Sequence, residues 1–196
     1  REAQNDFHIL EDREGGECVW HSVEVAAGGD PLSRRFGHSM DLVGESRAGP
    51  EGGAFDLVCY GGYDGRKGIH GDVSLIKVEV GRRCTVAVER LSPGGPEPRY
   101  SHASFVKDGL LFVIGGVTRD WGDAFAAFCF DLRDRLWREV PFIEGAYNLR
   151  SHVWARQQAL LLPGGTTVAL VGGGILVFAH GSTTNPLVLT LSLSPI

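Results

Sequence analysis

Short apolar runs recur along the chain, each bounded by glycine, proline or a polar pair. In GDVSLIKVEV, Val73, Leu75, Lys77 and Glu79 alternate with Ser74, Ile76, Val78 and Val80. One face of that segment is therefore largely apolar at a period of two, which predicts a strand. FGHSMDLV, AFDLVCYGG and RCTVAVERL flank it as further strands, and CVWHSVEV (Cys18 to Val25) reads as a strand before them. The polar segment GESRAGPEGGA, Gly44 to Ala54, predicts a long hairpin loop. SPGGPEP, Ser92 to Pro98, cannot continue a strand and separates this group from the next. The next group reads YSHASFVKDG, LLFVIGGVT, DAFAAFCFDL and LWREVPF, with Asp108-Gly109 as a hairpin turn. DAFAAFCFDL is rich in alanine, yet Phe128 and Phe130 flanking Cys129 favour a strand. A last group reads SHVWARQQALLL, VALVGGG, ILVFAHG and PLVLTLSL, with turns at Pro163 to Gly165 and before Pro186.

The three groups share a signature. Arg35 and His38 stand in RRFGHSMDL, Arg99 and His102 in PRYSHASF, and Arg150 and His152 in LRSHVWA. Each pair precedes an apolar run that ends in a glycine doublet: Gly61-Gly62, Gly115-Gly116 and Gly172-Gly173. A unit of about 50 residues with an apolar strand and two glycines is the length of a kelch repeat, one four-stranded propeller blade. The expected fold is all-β, a kelch-type β-propeller with a partial set of about three to four blades. The blades are drawn at 35–91, 99–142 and 147–194, with 18–34 the end of an earlier blade and 1–17 an irregular N-terminal segment.

Repetition at equivalent places is what a structural role predicts. A loop between blades carries backbone N–H and C=O groups that need partners, and guanidinium and imidazole groups supply them. The functional alternative is that Arg99, His102, Arg150 and His152 line a ligand-binding mouth. The glycine doublets permit sharp turns and close approach of the next blade. Trp137 in DRLWREV is expected between blades with its indole N–H satisfied, and Trp20 holds the matching place earlier in the chain. Trp121, in the polar loop TRDWGD, is a candidate contact residue.

Composition narrows the classes. Twenty-eight glycines suit a chain of many tight turns. A net charge of −5 argues against autonomous nucleic-acid binding. Cys18, Cys59, Cys84 and Cys129 are far apart with no CxxC, so no zinc site is expected, and buried thiols in a reducing, cytoplasmic compartment are. No catalytic Ser/His/Asp order, carboxylate pair or metal cluster stands out, and no apolar run is long enough to span a membrane. VALVGGGILVF resembles a nucleotide or S-adenosylmethionine turn only superficially. Such a site needs a helix after the glycines, and ILVFAHGSTTNP does not supply one. The chain begins at Arg1, and three blades leave open edges. The expectation is a segment of a longer protein with its missing blades upstream, unless a partner covers the edge.

The last hundred residues carry a narrower resemblance. PRYSHASFVKDGLLFVIGG, FDLRDRLWREV, RSHVWA and LVGGGILVFAHGSTTNPLVLTLSL resemble the C-terminal propeller region of tRNA wybutosine-synthesising proteins. These include a leucine carboxyl methyltransferase-like member and a plant and algal multidomain fusion. The resemblance implies a non-catalytic scaffold, or a platform facing tRNA or a protein, in modification of the guanosine beside the phenylalanine tRNA anticodon. It places the S-adenosylmethionine chemistry in other domains, so no cofactor is expected here. The alternative is a general kelch interaction module, an adaptor or subunit unrelated to tRNA.

Overall fold

A computed structural model describes residues 6–13, 15–26, 32–49, 52–66, 68–120, 126–141, 154–177, 181–184 and 188–193. Among them there are strands and no helix. The strands are β1 (His8–Arg13), β2 (Glu17–Val25), β3 (Ser39–Gly49), β4 (Gly52–Tyr60), β5 (Val73–Val80), β6 (Cys84–Ser92), β7 (Ala103–Lys107), β8 (Leu110–Ile114), β9 (Ala127–Asp131), β10 (Trp137–Glu139), β11 (Gln157–Leu161), β12 (Thr167–Gly172), β13 (Gly174–Val177), β14 (Gly181–Thr184) and β15 (Leu189–Ser192).

They form propeller-type sheets. The first blade orders β6-β5-β4-β3 and the second β10-β9-β8-β7, each an antiparallel meander. The DAFAAFCFDL segment supplies β9, because Ala127, Cys129 and Phe130 are buried along a pleated strand that pairs on both sides. Asp108 and Gly109 both take positive φ, 51° and 76°, the backbone of a two-residue hairpin turn.

Three apolar layers hold the arc together. Val58, Tyr60, Val73, Leu111, Val113 and Phe130 join the first blade to the second. Phe105, Phe112, Cys129, Trp154, Val168 and Leu170 join the second to the third. Ile76, Val78, Val86 and Val88 cover the far side of the first blade.

The N-terminal segment departs from the sequence reading. His8–Arg13 is a strand rather than irregular, and it pairs antiparallel with β2. The β1–β2 hairpin adds in parallel to β6 through Val23, Glu24 and Val25. Its apolar residues, with Phe7, pack on the third layer, which gives the segment a reason to be ordered. Trp20 is accordingly 68% exposed at the sheet margin and not wedged between blades. Gly44 to Ala54 is not a long loop either: the β3–β4 ladder runs on to Gly49 and Gly52, with a register shift between Val43 and Arg47.

The third group folds differently from four sequential strands. β12 pairs with β11 on one side and with β15 on the other. Among the described residues β13 and β14 pair only with each other, as a hairpin inserted between β12 and β15. The sheet of the third blade therefore has three strands among the described residues.

Candidate partner-binding face

The loops before each first strand and after each second strand meet at one end of the arc. Arg35 is buried there, and every contact of its guanidinium is internal. Nε donates to the Ser33 carbonyl (3.1 Å), Nη1 to the Gly61 carbonyl (2.9 Å), and Nη2 to the Ser33 hydroxyl (2.7 Å). Asp72 takes both terminal nitrogens, Nη1 to Oδ1 and Nη2 to Oδ2, each at 3.0 Å. This is a bidentate fork, the geometry that suits a planar guanidinium.

Arg99 repeats the backbone part of that scheme. Nε donates to the Glu97 carbonyl (3.2 Å) and Nη1 to the Gly115 carbonyl (2.8 Å). It is only 1% exposed, yet among the described residues it has no carboxylate partner. The place of Asp72, whose carbonyl accepts from Gly61, is filled by Ala126, whose carbonyl accepts from Gly115. The Arg99 guanidinium carbon lies 4.9 Å from the Phe128 ring centroid instead.

The histidines tie blades. His102 Nε2 pairs with the Ser39 hydroxyl at 2.9 Å, and beside it the Ser104 hydroxyl donates to Asp41. Burial, aided by the Arg99 and His38 charges, pushes the His102 imidazole down to about 3, so it stays neutral. Burial also lowers His38, with Arg35 adding to the effect. The two arginines are committed to loop carbonyls and His102 to Ser39 of the neighbouring strand, while Nδ1 of His38 and of His102 has no hydrogen-bond partner among the described residues.

Arg150, His152 and Trp121 lie outside the described residues. The third equivalent place is instead held by Trp154 to Gln157. Gly62 donates to the Arg99 carbonyl (2.9 Å), and Gly116 donates to the Trp154 carbonyl (2.5 Å) in the same way. The left-handed residue two positions on is Gly37, Ser101 and Arg156 in turn, at φ of 65°, 56° and 61°. Gln157, buried like His102, donates to the Ile114 carbonyl. The doublets share their backbone too: φ is 67° and 108° at Gly61-Gly62, 67° and 98° at Gly115-Gly116, and 73° and 98° at Gly172-Gly173.

Trp137 does lie between blades, its ring 5.0 Å from Tyr60 and 5.1 Å from Phe130. Among the described residues its indole N–H has no partner, contrary to expectation, and Gly95 packs against it. A Cβ on Gly95 would fall 2.2 Å from that nitrogen.

What the sequence reading missed is aromatic. Phe36, Tyr63 and Tyr100 follow Arg35, Gly62 and Arg99 and form a cluster at the loop end. Tyr63 and Tyr100 stack at 5.5 Å, and Phe36 meets them edge-on at 5.4 and 6.4 Å. Phe36 remains 50% exposed. The signal was present, since both complete motifs carry an aromatic directly after the arginine. Among the described residues no group of His, Cys, Asp and Glu is placed to hold a metal ion. Among the described residues there is no helix long and apolar enough to cross a membrane.

Residues 98–141 match the Kelch motif. Together with the meandering blades, this makes the chain an all-β, kelch-type propeller fragment. No curated protein matches the chain significantly. Among solved structures, a chain in the cryo-EM structure of RAG in complex with one melted RSS and one unmelted RSS is similar, at a TM-score of 0.63 and 14% identity. The likeness covers 95% of this chain and 59% of that one, and at such identity it concerns the fold alone.

Proposed function

We propose that this chain is a non-catalytic kelch module that holds a partner protein at the loop end bearing Phe36, Tyr63 and Tyr100. The observation that supports this is the three-ring cluster itself. It sits where loops of the first two blades meet, with Phe36 half open to solvent. Aromatic side chains offer large contact area at low entropic cost and are enriched at interaction hot spots. Arg35 and Arg99, which could have suggested catalysis, are committed to loop carbonyls, and His102 pairs with Ser39. A photo-crosslinking residue at Phe36 should capture a partner that the same residue at Arg133, on the outer β9–β10 turn, does not. Equal capture at both, or turnover of S-adenosylmethionine by this chain, would overturn the reading.

The narrower proposal is a scaffold or tRNA platform in a wybutosine-synthesis protein, with other domains or blades of a longer chain as its partners. Its support is the sequence resemblance of the last hundred residues. The net charge of −5 favours the scaffold over an electrostatic RNA surface. Filter binding of phenylalanine tRNA across a salt series separates the two. Affinity that falls steeply with salt fits the platform, and no binding at low ionic strength removes it.

A further inference from the structure

Each junction between blades is made by the same set of contacts, and the third blade carries half of that set with no occupant. Gly62 and Gly116 donate to carbonyls of the following blade, at Arg99 and Trp154. Gly173 has the same backbone, but no described carbonyl accepts from it. A Cβ on Gly61 would lie 2.5 Å from the Arg99 carbonyl oxygen, and one on Gly115 2.4 Å from that of Trp154. At Gly172 nothing lies within 4 Å. The doublet is a socket whose backbone is already set.

The matching plug is on the first blade. The Arg35 carbonyl holds the place of those of Arg99 and Trp154, and no described N–H donates to it. The strand residues that face each other agree as well. Asp41 of β3 meets Ser104 of β7, and one blade on Phe105 and Ala159 share an apolar cluster. The next pair in that series is Leu160 with Met40, both apolar and 59% and 40% exposed. Where His102 meets Ser39, the next pair is His38 with Gln158, an imidazole with an exposed amide. The β1–β2 hairpin packs against Ile76, Val78 and Val86, on the outer strands of that face, and leaves Met40 and Leu42 on the inner strand open.

We propose that a second copy of this chain fills the socket. Its Arg35 to His38 loop seats on Gly172-Gly173 and its Met40 on Leu160, and the reciprocal junction closes a two-chain ring. Three blades and three make about six, inside the range in which propellers close. The contact is head-to-tail, which closes only if the rotation is right and otherwise grows into open chains. This inference concerns the ends of the arc; Phe36 lies on the seated loop, so a crosslink from Phe36 to a second copy reports this junction and one to a different protein reports the aromatic face.

The test is solution mass by light scattering of the chain, of Leu160→Asp, of Met40→Lys and of an equimolar mixture of the two variants. The chain should run at twice its 21.2 kDa. Each variant alone should fall twofold in mass with an unchanged circular dichroism spectrum, since both positions are exposed. The mixture should recover the doubled mass, because one junction then carries Asp against Lys and the other keeps Leu against Met. A monomeric wild-type chain would overturn the proposal. So would a dimer indifferent to both substitutions, a concentration-dependent series of open oligomers, or a mixture that stays monomeric.

Discussion

In the first blade the buried guanidinium of Arg35 meets both oxygens of Asp72; in the second, Arg99 lies as deep with Ala126 in the carboxylate's place and a phenylalanine ring beside it. The backbone duties of the two arginines are the same. Each donates from Nε to a carbonyl two residues earlier and from Nη1 to the first glycine of its doublet. The difference teaches that the fold asks for donors at this place and leaves charge compensation to local means. In the third blade Trp154 stands in the arginine's place and its backbone carbonyl accepts from Gly116, so that bond does not require a guanidinium on the same residue.

Breaking the fork should have the largest effect. Asp72→Ala leaves Arg35 buried without its counter-ion, and removing one partner of a buried pair costs about 3–5 kcal/mol. Urea unfolding should show that loss, while Ala126→Ser at the equivalent place should shift stability by no more than about 0.5 kcal/mol. Equal losses at the two sites would mean the fork contributes nothing beyond its backbone bonds.

The glycine doublets sharpen the same contrast between occupied and vacant places. Gly115→Ala puts a Cβ 2.4 Å from the Trp154 carbonyl oxygen at φ 67°. Overlap and left-handed strain together should cost about 2–4 kcal/mol. Gly172→Ala meets nothing within 4 Å in one chain and should cost only the strain, about 1–2 kcal/mol. Thermal unfolding of the two variants gives the comparison directly.

His102 supplies a pH test of the junction between the first two blades. Its folded-state value is depressed to about 3 from 6.5, chiefly by burial. The unfolded chain therefore binds the proton first. The contribution of His102 is fully present above about pH 6.5 and is lost as pH falls through the window toward 3, by about 1.4 kcal/mol per pH unit. Gln occupies the equivalent place at Gln157, so His102→Gln should fold and should flatten that acid slope by one proton. An unchanged slope would mean the imidazole is charged, or solvated, in the folded protein.

The all-β class and the propeller were legible because their signals are local. The alternation in β5, the Asp108-Gly109 turn and the glycine doublets each act within a few residues. The third motif, Arg150 and His152, lies outside the described residues. What recurs is a left-handed residue and a carbonyl two positions before it, and Arg156 with Trp154 satisfy both without resembling Arg-x-x-His. The parallel addition of β2 to β6 and the passage from β12 to β15 past an inserted hairpin are non-local pairings, and no residue near them announces the partner. The aromatic cluster was half legible. Phe36 and Tyr100 stand out beside their arginines, but Tyr63 joins them only through the fold.

The smallest effect separates the two arginines most finely. Ala126→Asp gives the second blade the carboxylate that the first already has, at a place whose carbonyl bonds to Gly115 as that of Asp72 bonds to Gly61. Arg99 is already desolvated, so the new cost is that of the aspartate alone, and Ala126 is only partly buried. The net gain should be at most about 1 kcal/mol. The ring beside Arg99 offers a second handle, since a cation over an aromatic face contributes about 0.5–2 kcal/mol. Phe128→Leu should therefore cost less in the A126D background than alone, because the guanidinium then has another source of negative charge. A double-mutant cycle reads that coupling, and additive costs would show that Arg99 does not use the ring as its substitute for a carboxylate.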